Sequence, residues 1–128
     1  MAKPDMIGFV VREMAAALAF YRLMGLDIPN GAEREDHVEC EINGYRMAWD
    51  TVKLVESFSG PFEAPSGHRM SMAFLCDSPA DVDATYNKII AAGYTSRKAP
   101  WDAFWGQRYA TVEDPEGNPV DLFAPLKN

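Results

Sequence analysis

The chain has 128 residues, a formal net charge of −7 and a pI of about 4.7, and 48% of its residues are hydrophobic. This length is typical of one domain that buries a sizeable core. An acidic chain repels phosphate backbones, so the composition argues against a nucleic-acid partner. Its long-range field favours a cationic ligand, although the same charge is also what solubility alone requires.

No apolar run is long enough to span a bilayer, and the first five residues lead into a strand pattern without the features of a signal peptide. The sequence therefore predicts a cytoplasmic protein with no membrane partner. Cys40 and Cys76 lie in separate apolar segments, which predicts two buried, reduced thiols rather than a disulfide framework.

The first half of the chain shows the pattern strand, helix, hairpin and loop. Three- and four-residue apolar spacing predicts the helix, and alternation around Asn43-Gly44 predicts the hairpin. The predicted elements are a strand over Met6–Val11, a helix over Glu13–Met24, strands over 37–42 and Tyr45–Thr51, and a loop rich in Pro, Gly and Ser over Phe58–Gly67.

The second half repeats this pattern. Ser78-Pro79-Ala80-Asp81 combines a hydroxyl cap, a proline in the first turn and a following carboxylate, which together predict the start of a helix. The predicted elements are a strand over Met70–Cys76, a helix up to Ala92, an aromatic loop over Trp101–Gly106, and a hairpin of Gln107–Glu113 and Asn118–Phe123.

Tyr21 and Tyr86 hold corresponding positions in the two halves, and each predicted helix ends at a glycine. Such a weak repeat of about sixty residues indicates a duplicated unit. We therefore predict one α+β domain over residues 1–128, with two βαβββ modules at about 4–57 and 68–126. Its helices would cover one face of a curved mixed sheet, and the other face would form a cup.

Alternation along the last hairpin assigns its side chains to two faces. Ala110, Val112, Val120 and Leu122 form an apolar set suited to a helix. The opposite set faces the predicted cup and gives an apolar wall with a few polar points, as is usual for small-molecule sites. That set is Tyr109, Thr111, Asp121 and Phe123.

Trp101, Phe104 and Trp105 place three large rings within five residues. They would either form a stacking clamp for a planar ligand or cover the core or a dimer contact. The full set of predicted ligand-binding residues is Met6, Met47, Trp49, Phe58, Ser71, Trp101, Phe104, Trp105, Tyr109, Thr111, Asp121 and Phe123.

Four segments together resemble the vicinal oxygen chelate superfamily, which contains glyoxalase I, extradiol dioxygenases, fosfomycin-resistance enzymes and bleomycin-resistance proteins. The resemblance implies paired βαβββ modules, a cup-shaped site and usually a homodimer. The segments are Ile7–Arg12, Ala19–Tyr21 followed by Met24–Leu26, Gly106–Tyr109, and Asp114–Phe123.

Catalytic members of that superfamily chelate a divalent metal. At the positions that the resemblance implies, this chain has Met6, Ser71 and Asp121, with Trp49 or Asp50 at a further one. Methionine and serine are poor ligands for such ions, and a catalytic metal needs about three protein ligands. The sequence therefore predicts no metal, no cofactor and no catalytic residue.

The two histidines do not change this prediction. His37, Glu39 and Glu41 alternate on one strand, which predicts a solvated outer face, and His68 is predicted to be loop surface.

The predicted function is non-catalytic sequestration of a planar aromatic small molecule, such as an antibiotic, by a homodimer close in character to the bleomycin-resistance branch. A metal-dependent lyase, isomerase or dioxygenase with ligands such as His37 or His68 is the alternative. A metal-free enzyme that uses Asp121 or Tyr109 as acid or base, and a module that only dimerises, also stay open.

Overall fold

The computed structural model describes residues 1–67 and 70–127, so His68 lies outside the described residues. The chain divides into two compact units, Met1–Ala64 and Pro65–Asn128. Each unit contains a mixed sheet with helices on the connections, which confirms the predicted α+β class.

The first unit has a three-stranded sheet in the order β1-β3-β2. Strand β1 is parallel to β3, and β2 is antiparallel to β3. Asn43 and Gly44 have φ values of 52° and 82°, as the predicted two-residue hairpin turn requires. The elements are β1 (Met6–Val11), α1 (Met14–Leu23), a 3-10 turn (Ala32–Arg34), β2 (His37–Ile42), β3 (Tyr45–Thr51) and α2 (Val52–Ser59).

Helix α2 was not predicted. It follows β3 in the first unit, which therefore has three strands instead of the four of a βαβββ module. Thr51 ends β3 in an extended conformation, and its side chain accepts a hydrogen bond from the Leu54 N–H at 3.1 Å. This cap satisfies one of the free N–H groups of a helix start. Phe58, which was predicted to begin a loop, lies in the last turn of α2 and is 70% exposed.

The second unit has a four-stranded sheet in the order β4-β7-β6-β5 and follows the βαβββ pattern. Only β4 and β7 are parallel. The elements are β4 (Met72–Leu75), α3 (Pro79–Ala91), β5 (Ser96–Ala103), β6 (Gln107–Glu113) and β7 (Pro119–Pro125).

The predicted start of α3 is confirmed in detail. The Ser78 hydroxyl accepts a hydrogen bond from the Asp81 N–H at 3.1 Å, and the Asp81 carboxylate accepts one from the Asp77 N–H at 3.0 Å. Two backbone donors are thereby satisfied next to the positive end of the helix dipole.

Replacing Ser78 with alanine is expected to lower the free energy of unfolding by about 1 kcal/mol, because it removes this cap. Urea denaturation followed by circular dichroism measures the change. Ser78→Thr, which keeps a hydroxyl acceptor, is the matched control and should lose less. Equal losses in both variants would contradict the capping role.

The apolar set predicted to pack on a helix is confirmed. Ala110, Val112, Val120 and Leu122 are all 0% exposed. Helix α3 contributes Val82 and Ile89, which are also 0% exposed, and it packs against β6 and β7. One face of the second sheet therefore packs against α3 and forms the core of this unit. We call the opposite face, against which α3 does not pack, the helix-free face.

The two thiols are less buried than predicted. Cys40 and Cys76 are both only partly buried, and neither forms a disulfide with a described residue. Burial raises the pKa of each thiol, which disfavours the reactive thiolate.

Candidate functional site

Most of the predicted ligand-binding residues of the second unit meet on its helix-free face. The antiparallel register pairs Tyr109 with Phe123 and Thr111 with Asp121, so all four point to one side. Strand β4 adds Ala73 beside Asp121, and Ser71 lies just before that strand, exposed. Ser71 is outside β4 because the strand is shorter than predicted.

Asp121 is held by two neighbouring hydroxyl groups. The Tyr109 hydroxyl donates to Oδ2 and the Thr111 hydroxyl donates to Oδ1, both at 2.7 Å. Both donors come from β6, so the hairpin register alone assembles the cluster. The carboxylate is therefore fixed in position by two neutral donors. In the described part of the chain, no cationic side chain forms an ion pair with it.

Tyr109 is held in its protonated form. Burial, followed by the hydrogen bond to Asp121 and the charge of that carboxylate, raises the pKa of Tyr109 to about 12. Both burial and a nearby negative charge disfavour a phenolate. At neutral pH the phenol is thus a donor to Asp121 and an apolar ring surface beside it.

Four rings, one of which is the Tyr109 ring that contacts Asp121, form a row on this face. The Trp101 and Trp105 rings meet edge to face at 5.5 Å, Trp105 and Tyr109 at 5.3 Å, and Tyr109 stacks on Phe123 at 6.2 Å between centroids. We call Trp101, Trp105, Tyr109 and Phe123 the aromatic row. Rings at these separations favour one another in such geometries.

The prediction that Trp101–Gly106 is a loop was wrong in part. Trp101 lies in strand β5 and pairs with Tyr109, and only Phe104, Trp105 and Gly106 form the turn between β5 and β6. Tryptophan suits a strand, and its pairing partner fixes it there. Phe104 is 90% exposed and Trp105 is 48% exposed, with the indole N–H donating to Gln107 at 2.7 Å.

Sequence reasoning missed Lys98, whose ammonium lies 4.6 Å from the centre of the Trp101 ring. The two residues are three positions apart, so simple alternation would assign them to opposite faces. A bulge between them explains why they meet.

The first unit places its predicted site residues on different faces of its sheet. Met6 pairs with Arg46 and is 41% exposed, whereas Met47 and Trp49 lie on the opposite face. Trp49 is 0% exposed and its ring is 5.3 Å from that of Tyr21 on α1. Trp49 and Met47 are therefore core residues of this unit, and they do not line one wall with Met6.

The face of the first sheet that carries Met6 also carries a network of charged side chains, where the sequence predicted only a solvated surface. One ring nitrogen of His37 bonds the Asp50 carboxylate at 2.5 Å and the other bonds Glu39 at 2.8 Å. Arg46 donates to Glu39 and to Asp5. The Asn43-Gly44 turn could have predicted the contact between His37 and Asp50, because the turn fixes the hairpin register that pairs these two residues.

The carboxylates beside His37 raise its pKa, with the Glu39 hydrogen bond as the largest cause and the Asp50 bond next. Both ring nitrogens donate when the ring is protonated, so the contacts are those of an imidazolium between two carboxylates.

The residues at the positions that the resemblance implies for metal ligands do not fit a divalent metal. Met6 offers a thioether and Ser71 a neutral hydroxyl, and the two oxygens of Asp121 accept from Tyr109 and Thr111. Divalent ions of this kind prefer imidazole and carboxylate donors. In residues 1–67 and 70–127, no three His, Cys, Asp or Glu side chains are grouped to hold a metal ion.

A model of the Glyoxalase/Bleomycin resistance protein/Dioxygenase superfamily matches residues 3–122. The chain belongs to this superfamily. Helices long and apolar enough to cross a membrane are absent from the part of the chain that the structure describes.

Solved structures share the fold. A glyoxalase/bleomycin resistance protein/dioxygenase family enzyme from Burkholderia phytofirmans PsJN is 23% identical, with a TM-score of 0.84 over 98% of this chain and 100% of that one. A glyoxalase/bleomycin resistance protein/dioxygenase from Nocardioides is 25% identical, with a TM-score of 0.74 over 100% of this chain and 86% of that one.

The chain also has relatives by sequence. An uncharacterized protein of Mycobacterium bovis is 27% identical over 92% of this chain and 80% of its own length.

Proposed function

We propose that the protein binds a planar aromatic small molecule on the helix-free face of its second unit and sequesters it without chemical change. The observation that carries the proposal is the aromatic row beside the Asp121 cluster on one sheet face. Flat apolar surface provides the affinity, and a few fixed polar groups provide orientation, as in most small-molecule sites.

The exposure of the rings supports a ligand. Trp105 is about half exposed and Phe104 almost fully exposed, and apolar rings gain free energy when a ligand removes them from water. Micromolar affinity requires about 8 kcal/mol. Burial of ring surface at about 25 cal/mol per Å² makes that value reachable when two or three rings close on a ligand.

The contacts of Asp121 suit it to orient a ligand. Each of its oxygens already accepts a hydrogen bond from a hydroxyl group on β6, so the carboxylate is held in one position. It still retains lone pairs that accept a donor from the ligand.

Two further parts of the proposal concern the setting of this site. We place the protein in the cytoplasm, with the ligand reaching it there, and we propose a homodimer with resistance by mass action, as in the bleomycin-resistance branch. Analytical ultracentrifugation tests the dimer, and a monomer at micromolar concentration would contradict it.

Replacing Trp105 with alanine is expected to weaken binding of planar aromatic probes about tenfold, because one stacking ring is lost. Isothermal titration calorimetry with naphthalene and acridine derivatives measures the affinity, and chromatography shows whether the probe is recovered unchanged. Ile42→Ala, which removes an exposed apolar side chain of the first unit, is the control.

Two results would contradict the proposal. If the native protein binds no probe, the aromatic row is not a ligand site. If the probe is recovered as a product, the protein is an enzyme and not a sequestering protein.

A further inference from the structure

Lys98 brings a positive charge to the helix-free face. Its ammonium lies over the Trp101 ring at 4.6 Å, a distance at which a cation is attracted by the ring face. Among the described residues, no carboxylate lies within ion-pair distance of Lys98, whereas Arg97 beside it is paired with Glu113 at 3.7 Å. Lys98 therefore keeps its hydrogen-bond donors for another partner.

The backbone is built to aim Lys98 at this face. Lys98 pairs with Thr111 and Trp101 pairs with Tyr109, so three steps along β5 are matched by two along β6. In a regular strand, residues three positions apart point to opposite faces. The extra residue lies at Ala99-Pro100, and proline is tolerated there because β5 is the edge strand. Bulges of this kind often redirect a side chain next to a site.

The register extends this placement across the sheet. Lys98, Thr111 and Asp121 are successive partners on β5, β6 and β7, in a row beside the aromatic row. Neighbouring strands lie about 4.8 Å apart, so the two charged residues are separated by about two strand spacings. The site thus has a cation at one end and a carboxylate that accepts hydrogen bonds at the other.

We propose, on the basis of the proposed function, that the ligand is an aromatic anion, with its ring on the aromatic row and its carboxylate or sulfonate on Lys98. The chain's net charge of −7 would by itself favour a cation. At physiological ionic strength, however, exposed charges farther away than about 8 Å are largely screened. A contacting ammonium therefore decides the charge preference of the site.

Edge strands also carry lysines that prevent pairing with other sheets, and edge protection is the alternative role for Lys98. Such a lysine needs only to point into solvent. The contact with Trp101, reached through a bulge, instead directs the charge along the ring surface where the ligand is proposed to lie.

The test compares three naphthalene probes of similar size: 1-naphthoate, neutral 1-naphthamide and cationic 1-naphthylmethylamine. Calorimetry on the native protein should show 1-naphthoate binding at least tenfold more tightly than 1-naphthamide. Lys98→Gln should reduce this ratio to about one, and Lys98→Glu should favour the amine. Lys88→Gln is the matched control, because it removes the same charge from an exposed position on helix α3 and should keep the ratio.

The outcomes separate this inference from the proposed function. If none of the probes binds the native protein, the proposed function is wrong and the inference fails with it. If all three bind equally, or if Lys98→Gln keeps the preference for 1-naphthoate, the aromatic site stands and the role of Lys98 is overturned. Aggregation of Lys98→Gln with an unchanged preference would assign Lys98 to edge protection alone.

Discussion

Replacing Trp49 with alanine is expected to lower the free energy of unfolding by about 3–5 kcal/mol. Trp49 is 0% exposed and lies in the central strand of the first sheet. Its ring contacts Tyr21 at 5.3 Å and stacks with Phe9 at 6.1 Å. Truncation removes a large buried ring and leaves a cavity that the two remaining rings fill only in part.

Trp49→Phe is the matched variant for this experiment. The indole N–H of Trp49 is buried without a hydrogen-bond partner among the described residues. A buried donor of this kind costs about 1–3 kcal/mol, so phenylalanine removes that cost while it keeps most of the ring. We expect Trp49→Phe to lose far less stability than Trp49→Ala in urea denaturation followed by circular dichroism. A loss below about 1 kcal/mol for Trp49→Ala would contradict a core position.

The parts of the fold that could be predicted depend on local signals. The Ser78 cap and the Asn43-Gly44 turn each involve residues within four positions of one another. Alternation across a single hairpin likewise predicted that Tyr109 and Asp121 share a face, and their hydroxyl–carboxylate contact follows from that register. Short-range chemistry determines these features before any tertiary contact forms.

The parts that could not be predicted depend on pairing between distant segments. Met6 and Trp49 were both predicted to bind the ligand, yet the parallel register of β1 and β3 pairs Met6 with Arg46 and places Trp49 on the other face. A shift of one residue in that register would reverse the assignment, and nothing near either segment specifies it.

Strand β5 and helix α2 were missed for related reasons. Trp101 is held in a strand by its partner Tyr109, and the bulge that turns Lys98 toward it exists only in that pairing. Thr51, the N-cap residue of α2, could have predicted the start of this helix. Threonine is common both at helix caps and in strands, so Thr51 was also consistent with the end of β3.

Replacing Asp121 with asparagine is expected to lower the pKa of Tyr109 from about 12 toward its ordinary value of about 10. Asparagine still accepts the hydrogen bonds from Tyr109 and Thr111, but it lacks the negative charge that opposes a phenolate. The contribution of burial stays, so the pKa should fall only part of the way. Ultraviolet titration at alkaline pH measures the change, and Tyr109→Phe identifies which of the five tyrosines is responsible.

The same substitution changes how stability depends on pH. Because the pKa of Tyr109 is higher in the folded chain than in the unfolded one, its contribution to stability is fully present below about pH 10. That contribution is lost as the pH rises through the folded value of about 12. In Asp121→Asn the loss should span a narrower range of pH, since the two values lie closer together. An unchanged titration of Tyr109 would show that the negative charge of Asp121 does not contribute to its raised pKa.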